Sequence, residues 1–295
     1  MSVLKNIIGQ GGFGTVYGID ELPSVCVKVS NKKNNCRAWS DEYKKLKKIH
    51  SILDTNKSYK NLKFVRIIEP LHYYEKKDGN CFMVLNRIYN PYEKKYMDIK
   101  KSKSYATLSR TRSYKLSKSS KSPISPSLEL SRSVSDLGKK YKNIDNYKND
   151  LTIHSLFGEI GSETYKSSLR GKFIGLDLIS TYLTDSEIEK ISYELGQVMA
   201  LLHFVAKNDA TDIELYLGRE FKTKKPRIYI SDFDMSNDII DYDDDTIDKL
   251  CWCFQAMPYF PSTSSSDKLY ELFKEGYRKI ANNDEVVEKI FDCYS

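Results

Sequence analysis

Short apolar runs broken by turn residues open the chain, and longer stripes of helical period close it. Val3 to Ile8 and Thr15 to Ile19 flank a glycine-rich turn and predict a hairpin. Val25-Cys26-Val27-Lys28-Val29 is rich in β-branched residues and predicts a strand. Phe64 to Ile68 and Phe82 to Ile88 predict two more, with Asp78-Gly79 as the turn between them. One helix interrupts these strands, from about Arg37 to Leu53. Trp39, Tyr43, Leu46, Ile49 and Leu53 recur there at three- and four-residue steps. Glu42 falls on the same stripe, and a carboxylate on a buried helix face needs a partner.

The C-terminal part reads as helical. Thr184 and Glu187 have capping-box spacing, and Ile188, Ile191, Leu195, Val198, Met199 and Leu202 follow at helical period. Arg227 to Ser231 alternates like a short strand, and a last helix is predicted from Asp267 to Ala281. Between the two parts, residues 92–148 carry Ser-Lys-Ser-Lys, Arg-Thr-Arg-Ser, Ser-Pro-Ile-Ser-Pro and Ser-Arg-Ser-Val-Ser. Apolar residues are sparse and aperiodic there, so ordering would cost more entropy than burial returns. The expected organisation is an N-terminal part over 1–91, a disordered basic Ser/Lys-rich insert over 92–148, and a C-terminal part over 149–295.

Composition sharpens this division. The chain's 295 residues are 40% hydrophobic, enough for one large domain or two small lobes. The net charge is +7, yet Lys100 to Lys140 alone carries eleven Lys/Arg against Glu129 and Asp136. The basic character therefore belongs to the insert, and the remainder is slightly acidic. No apolar run reaches the roughly 18–20 residues of a membrane helix, and the N-terminus lacks a signal-peptide block. The expectation is a soluble, intracellular, cytoplasmic protein, of a cell or a virus-infected host, with no membrane partner. None of the six cysteines forms a C-x-x-C pair, so all are expected as buried thiols rather than metal ligands. Of the four histidines, His203 falls on an apolar helix stripe and is expected to be a hydrogen-bonded structural residue. The acidic run Asp241 to Asp248 lacks the central glycine of a calcium loop.

Candidate chemistry begins at Gly9-Gln10-Gly11-Gly12-Phe13-Gly14. Without Cβ atoms, such a turn lets backbone amides approach phosphates. It lies between two strands, unlike a Rossmann turn, and lacks the Gly-Lys-Ser/Thr ending of a P-loop. Downstream come Lys28 in a β-branched strand, Glu42 on a helix stripe, and Asp209 five positions before Glu214. Asp232-Phe233-Asp234 follows the Arg227 to Ser231 strand.

In this order the motifs resemble those of the protein-kinase superfamily over nearly the whole chain apart from the insert. Val25-Cys26-Val27-Lys28 is similar to V-A-I-K, Asp209 to Glu214 to the catalytic loop, and Asp232-Phe233-Asp234 to D-F-G. A closer likeness is to a poorly characterised kinase-like family of fungi and large DNA viruses. It rests on Val84-Leu85-Asn86-Arg87-Ile88, Leu195-Gly196 through Leu202-His203, Asp209 through Gly218, Asp232-Phe233 and Pro258-Tyr259-Phe260-Pro261. The resemblance implies an α+β, bilobal kinase-like fold. Its N-lobe would be an antiparallel sheet with one helix, and its C-lobe mainly helical and shortened. It implies ATP and Mg²⁺ as cofactors. Ile8, Gly9, Gly11, Gly14 and Val16 would line the nucleotide site, with Lys28 held by Glu42. Asp209 would orient the acceptor hydroxyl and take its proton, and Glu214 and Asp232 would hold the metal.

Departures temper the implied activity. Lys207-Asn208 replaces His-Arg, which argues against activation by a phosphorylated loop. Asp234 replaces the glycine of D-F-G, no A-P-E motif follows, and only 61 residues come after Asp234. A serine/threonine-kinase-like phosphotransferase therefore stands beside an inactive pseudokinase or nucleotide-binding scaffold. The phosphate acceptor would be a protein or a small molecule. The insert could tether an acidic partner or nucleic acid, though Tyr105 and Tyr114 are too few for a stacking platform. Its Ser-Pro and Arg-x-x-Ser steps also suit it as a phosphorylation target.

Overall fold

The computed structural model describes residues 6–10, 14–19, 22, 24–31, 36–76, 79–88, 152–160, 163–164, 171–180, 182–220, 223 and 225–294. The insert expected over 92–148 lies outside them, as do Gly11, Gly12, Phe13 and Asp78. Within these residues the fold is mixed α+β, with seven α-helices and two sheets.

The first sheet is five-stranded and antiparallel. It comprises β1 (Asn6–Gln10), β2 (Gly14–Gly18), β3 (Val25–Ser30), β5 (Pro70–Glu75) and β6 (Cys81–Asn86), in the order β1-β2-β3-β6-β5. The glycine-rich segment does join two antiparallel strands, with Gln10 opposite Thr15. β3 is central because it buries both faces. Val25 and Val27 pack with Ile19, Leu22, Phe82 and Val84, while Cys26 joins the main core. Such a run cannot alternate in polarity, as the sequence shows.

Helix α1 (Cys36–Leu53) packs on this sheet through Trp39, Leu46, Ile49 and Leu53, and buries Glu42 among them. Helix α2 (Lys57–Asn61) follows, capped by Asn56 Oδ1. It leads to β4 (Val65–Ile67), where one expectation fails. β4 does not pair with β6. It lies parallel to β11 (Pro226–Ser231), and the hairpin across Gly79 joins β5 to β6 instead. The strand β5 begins at a proline and carries His72, Tyr73, Tyr74 and Glu75, an edge composition that periodicity does not register.

The second sheet runs β4-β11-β10-β7-β9-β8, with β7 (Thr152–Leu156), β8 (Glu163–Thr164), β9 (Gly171–Gly175) and β10 (Glu214–Arg219). Among the described residues after 149, five strands thus accompany the helices, which still carry most of the regular structure there. The hairpin β10–β11 sets Glu214 opposite Ser231, immediately before Asp232. Short helix α3 (Leu176–Ile179) leads to α4 (Asp185–Ala200), which begins with the predicted Thr184–Glu187 capping box. A π turn, Leu201–Val205, extends α4.

Helices α5 (Asp244–Ala256), α6 (Asp267–Ile280) and α7 (Asp284–Tyr294) complete the fold. The helix predicted from Asp267 is therefore not the last. Acids of the Asp241 to Asp248 run serve α5: Asp243 Oδ1 accepts from Thr246 N at 2.8 Å, and Asp244 and Asp245 occupy the first turn, favourable to the helix dipole. Helices α4 and α6 nearly touch: a Cβ on Gly196 would lie 2.0 Å from Phe273 O, and one on Gly276 2.0 Å from Tyr193 O. Beside this crossing, His203 Nδ1 bonds Tyr277 Oη at 2.7 Å, the structural role expected for it, and burial pushes its pKa down to about 4. Cys26, Cys36, Cys81 and Cys253 are buried thiols as expected, but Cys251 and Cys293 form a disulfide between α5 and α7. Sequence separation of 42 residues hid that pairing, which the packing of the two helices creates. Among the described residues no helix is long and apolar enough to cross a membrane.

Candidate functional site

Three distant segments meet at Lys28. Strand β3 presents its ammonium toward α1, where Glu42 receives it at 3.1 Å and 3.3 Å. Asp232, at the end of β11, receives it at 2.9 Å. Glu42 is 5% exposed and Asp232 34%, so the cluster opens outward on the Asp232 side. Burial works against the Lys28 charge, but Asp232 and Glu42 outweigh it and its pKa is raised. Burial likewise raises the Glu42 pKa, and the Lys28 ammonium opposes that rise. Trp39 roofs the pair, with its ring centroid 5.2 Å from Lys28 Nζ. The same ring lies against Gly14, where a Cβ would come within 2.7 Å of it. Ile8 on edge strand β1 and Val16 on β2 pack against the core, and Gly9 opposes Val16 across the β1–β2 register. Gly11 lies outside the described residues.

Carboxylates crowd the Asp232 side. Glu214 is largely buried, and its pKa is pushed up to about 7 by burial and then by the Asp232 charge. Its Oε2 accepts from Tyr216 Oη and stands 4.0 Å from His154 Nδ1. Asp212 and Asp234 are raised too, by burial and by their acidic neighbours. Asp209 sits deeper, 5% exposed. Its Oδ1 accepts from Thr211 N at 3.0 Å and Asn237 N at 2.7 Å, and its Oδ2 from Asn237 Nδ2 at 3.1 Å.

The backbone here is unusual. Lys207, Ala210, Asp212 and Asp232 have φ of 54°, 52°, 62° and 65°, the positive-φ non-glycine residues of the described chain. Such positions cost on the order of 1–3 kcal/mol each and persist where the surroundings over-determine them. Their concentration around Asp209 and Asp232 marks this region independently of any motif.

The structure thus brings together Lys28, Glu42, Glu214 and Asp232, and sets Asp209 on the adjoining loop. Sequence reading missed Asp212, Asn237, Tyr216, His154 and Lys45. Asp212 lies within the same Asn-Asp-Ala-Thr-Asp run and was open to notice. Lys45 reads as a solvated helix residue and gives no sequence signal. Among the described residues no group of three or more His, Cys, Asp or Glu is placed to hold a metal ion. No family model matches the chain, and no curated protein does.

Proposed function

We propose that this protein is an ATP- and Mg²⁺-dependent phosphotransferase with a bilobal, protein-kinase-like arrangement. The first sheet and α1 form the nucleotide-side lobe. The observation that carries the reading is the convergence of Glu42 and Asp232 on Lys28, from positions 14 and 204 residues away. An ammonium so held is ready to meet phosphate oxygens, and backbone amides at Gly9, Gly11 and Gly14 would approach the same phosphates. Ile8 and Val16 would cover the base.

Glu214 and Asp232 supply oxygen ligands, the type Mg²⁺ takes. Because no group of three or more such ligands stands together among the described residues, the two carboxylates would suit a cation that nucleotide phosphates and water complete. When bound, the ion neutralises phosphate charge. It would also relieve the crowding that raises Glu214. Asp209 orients the acceptor hydroxyl and takes its proton at Oδ2, which carries one hydrogen bond where Oδ1 carries two. Transfer of this kind needs positioning and electrostatic stabilisation above all, and these residues provide both.

The grip of Asn237 on Asp209 favours a second reading, in which the site binds nucleotide without transferring phosphate. One experiment separates them. Purified protein is incubated with γ-labelled ATP, Mg²⁺ and protein or small-molecule acceptors, beside Asp209→Ala and Asp232→Ala. Label transfer lost in both variants supports catalysis. Nucleotide binding with no transfer by the wild type supports the second reading, and transfer unchanged in both variants sinks the first.

A further inference from the structure

We propose that Lys45 is a positioning residue that locks the turn after Asp232, so that the site assembles without modification of that turn. The inference deepens the phosphotransferase reading and rests on it. Lys45 follows Glu42 by three residues on α1 and points at the same loop. An ammonium has three protons to donate. Lys45 Nζ donates to the carbonyls of Phe233 at 2.8 Å and Asp234 at 3.2 Å, and to that of Ser236. All three bonds fall on one four-residue stretch of backbone beyond the end of β11, where no strand ladder satisfies those carbonyls.

The locked stretch joins Asp232 to the residue that holds Asp209. It starts from Asp232, in the left-handed region at φ 65°. It ends at Asn237, which holds Asp209 through backbone and side chain. Ser236 Oγ donates to Phe233 O at 2.9 Å and accepts from Asn208 Nδ2 at 3.2 Å, closing the turn on the Asp209 loop. One helix therefore orients Lys28 through Glu42 and fixes Asp232 and Asn237 through Lys45. The arginine through which a phosphorylated loop would order such a turn is replaced here by Asn208. Lys45 supplies the ordering from inside. A second tie, Lys48 to Asp238 at 2.8 Å, is between half-exposed groups and is a fitting control.

The test uses the full chain as wild type, Lys45→Met, Lys45→Arg and Lys48→Met. Amide hydrogen exchange is followed by mass spectrometry, with urea unfolding, ATP affinity without metal, and Mg²⁺-ATP turnover. Lys45→Met is expected to speed exchange over residues 233–239 at least tenfold while α4 and α6 keep wild-type protection. Its turnover is expected to fall tenfold or more, with metal-free ATP affinity changed less than threefold. Lys45→Arg keeps the charge but cannot set three protons on three converging carbonyls. It is expected to speed exchange over the same stretch at least threefold, and it keeps the test decisive should Lys45→Met fail to fold. Lys48→Met should match wild type. Unchanged exchange over 233–239 in the Lys45 variants, or equal acceleration across α4 and α6, would overturn the proposal. A wild type without turnover, but with the local exchange effect intact, would remove the phosphotransferase reading and leave the lock standing.

Discussion

Removing the charge from either side of the Lys28–Glu42 pair tests whether the cluster is a stressed, desolvated site or an ordinary surface contact. Glu42 is 5% exposed and Lys28 16%, and two N–H···O contacts of 3.1 Å and 3.3 Å join them. A hydrogen bond to a charged group contributes about 1.5–3 kcal/mol, against about 0.2–1 kcal/mol for an exposed ion pair. The variants are Lys28→Met, Glu42→Gln and the double substitution, each close to its parent in shape. Glu42→Gln costs less than Lys28→Met, because Lys28 keeps Asp232 at 2.9 Å whereas Lys28→Met leaves Glu42 and Asp232 without the ammonium between them. Urea unfolding of the four proteins at pH 7 yields the coupling energy directly. A value of about 1.5–3 kcal/mol is expected. Coupling below about 0.5 kcal/mol would refute the reasoning, since the pair would then behave as a solvated one.

Other expectations follow from the same geometry. Gly276→Ala must push α6 off α4, because its Cβ would sit 2.0 Å from Tyr193 O. Thermal unfolding should show a loss of about 3 kcal/mol or more, beyond ordinary overpacking. Glu214 titrates near 7 in the fold against 4.5 unfolded, so its contribution is fully present below pH 4.5 and is lost as pH rises through 7. Glu214→Gln should therefore stabilise the nucleotide-free protein at pH 8, by up to about 3 kcal/mol, and confer no gain at pH 4.5. His203 runs the other way. Its pKa is depressed to about 4 from 6.5, so its stabilisation is complete above pH 6.5 and is lost as pH falls toward 4. His203→Gln should flatten the fall in urea midpoint between those pH values. Reducing the Cys251–Cys293 bridge, which closes a 42-residue separation, should cost about 3–4 kcal/mol, seen as a lower unfolding midpoint in dithiothreitol that Cys293→Ser reproduces without it.

Much of the site was legible because its parts are local. A glycine turn between β-branched runs, a lysine in the following strand and a carboxylate on an apolar stripe each declare themselves within a few residues. So do the Thr184–Glu187 cap and the strand before Asp232, and the strands flanking the glycine segment, the helix, the cap and this last strand all form. What could not be read is contact between segments. Lys45 is one of several lysines on a solvated-looking helix until the 233–236 turn arrives above it. The four left-handed residues carry no glycine to betray them. β4 has a strand's composition, yet its partner β11 lies more than 150 residues away in sequence.

By itself, then, the sequence determined the mixed α+β character, the capped and amphipathic helices, the hairpin around the glycine turn and the residue types able to meet a phosphate. Propensity, side-chain period and local capping act over a few residues, so they leave their mark in local order. Tertiary structure alone decided that Asp232 joins Glu42 on Lys28, that Asn237 holds Asp209, that β4 leaves the first sheet, and that Cys251 meets Cys293. Those outcomes depend on burying apolar faces of remote segments against one another, and no local pattern encodes which buried face will find which.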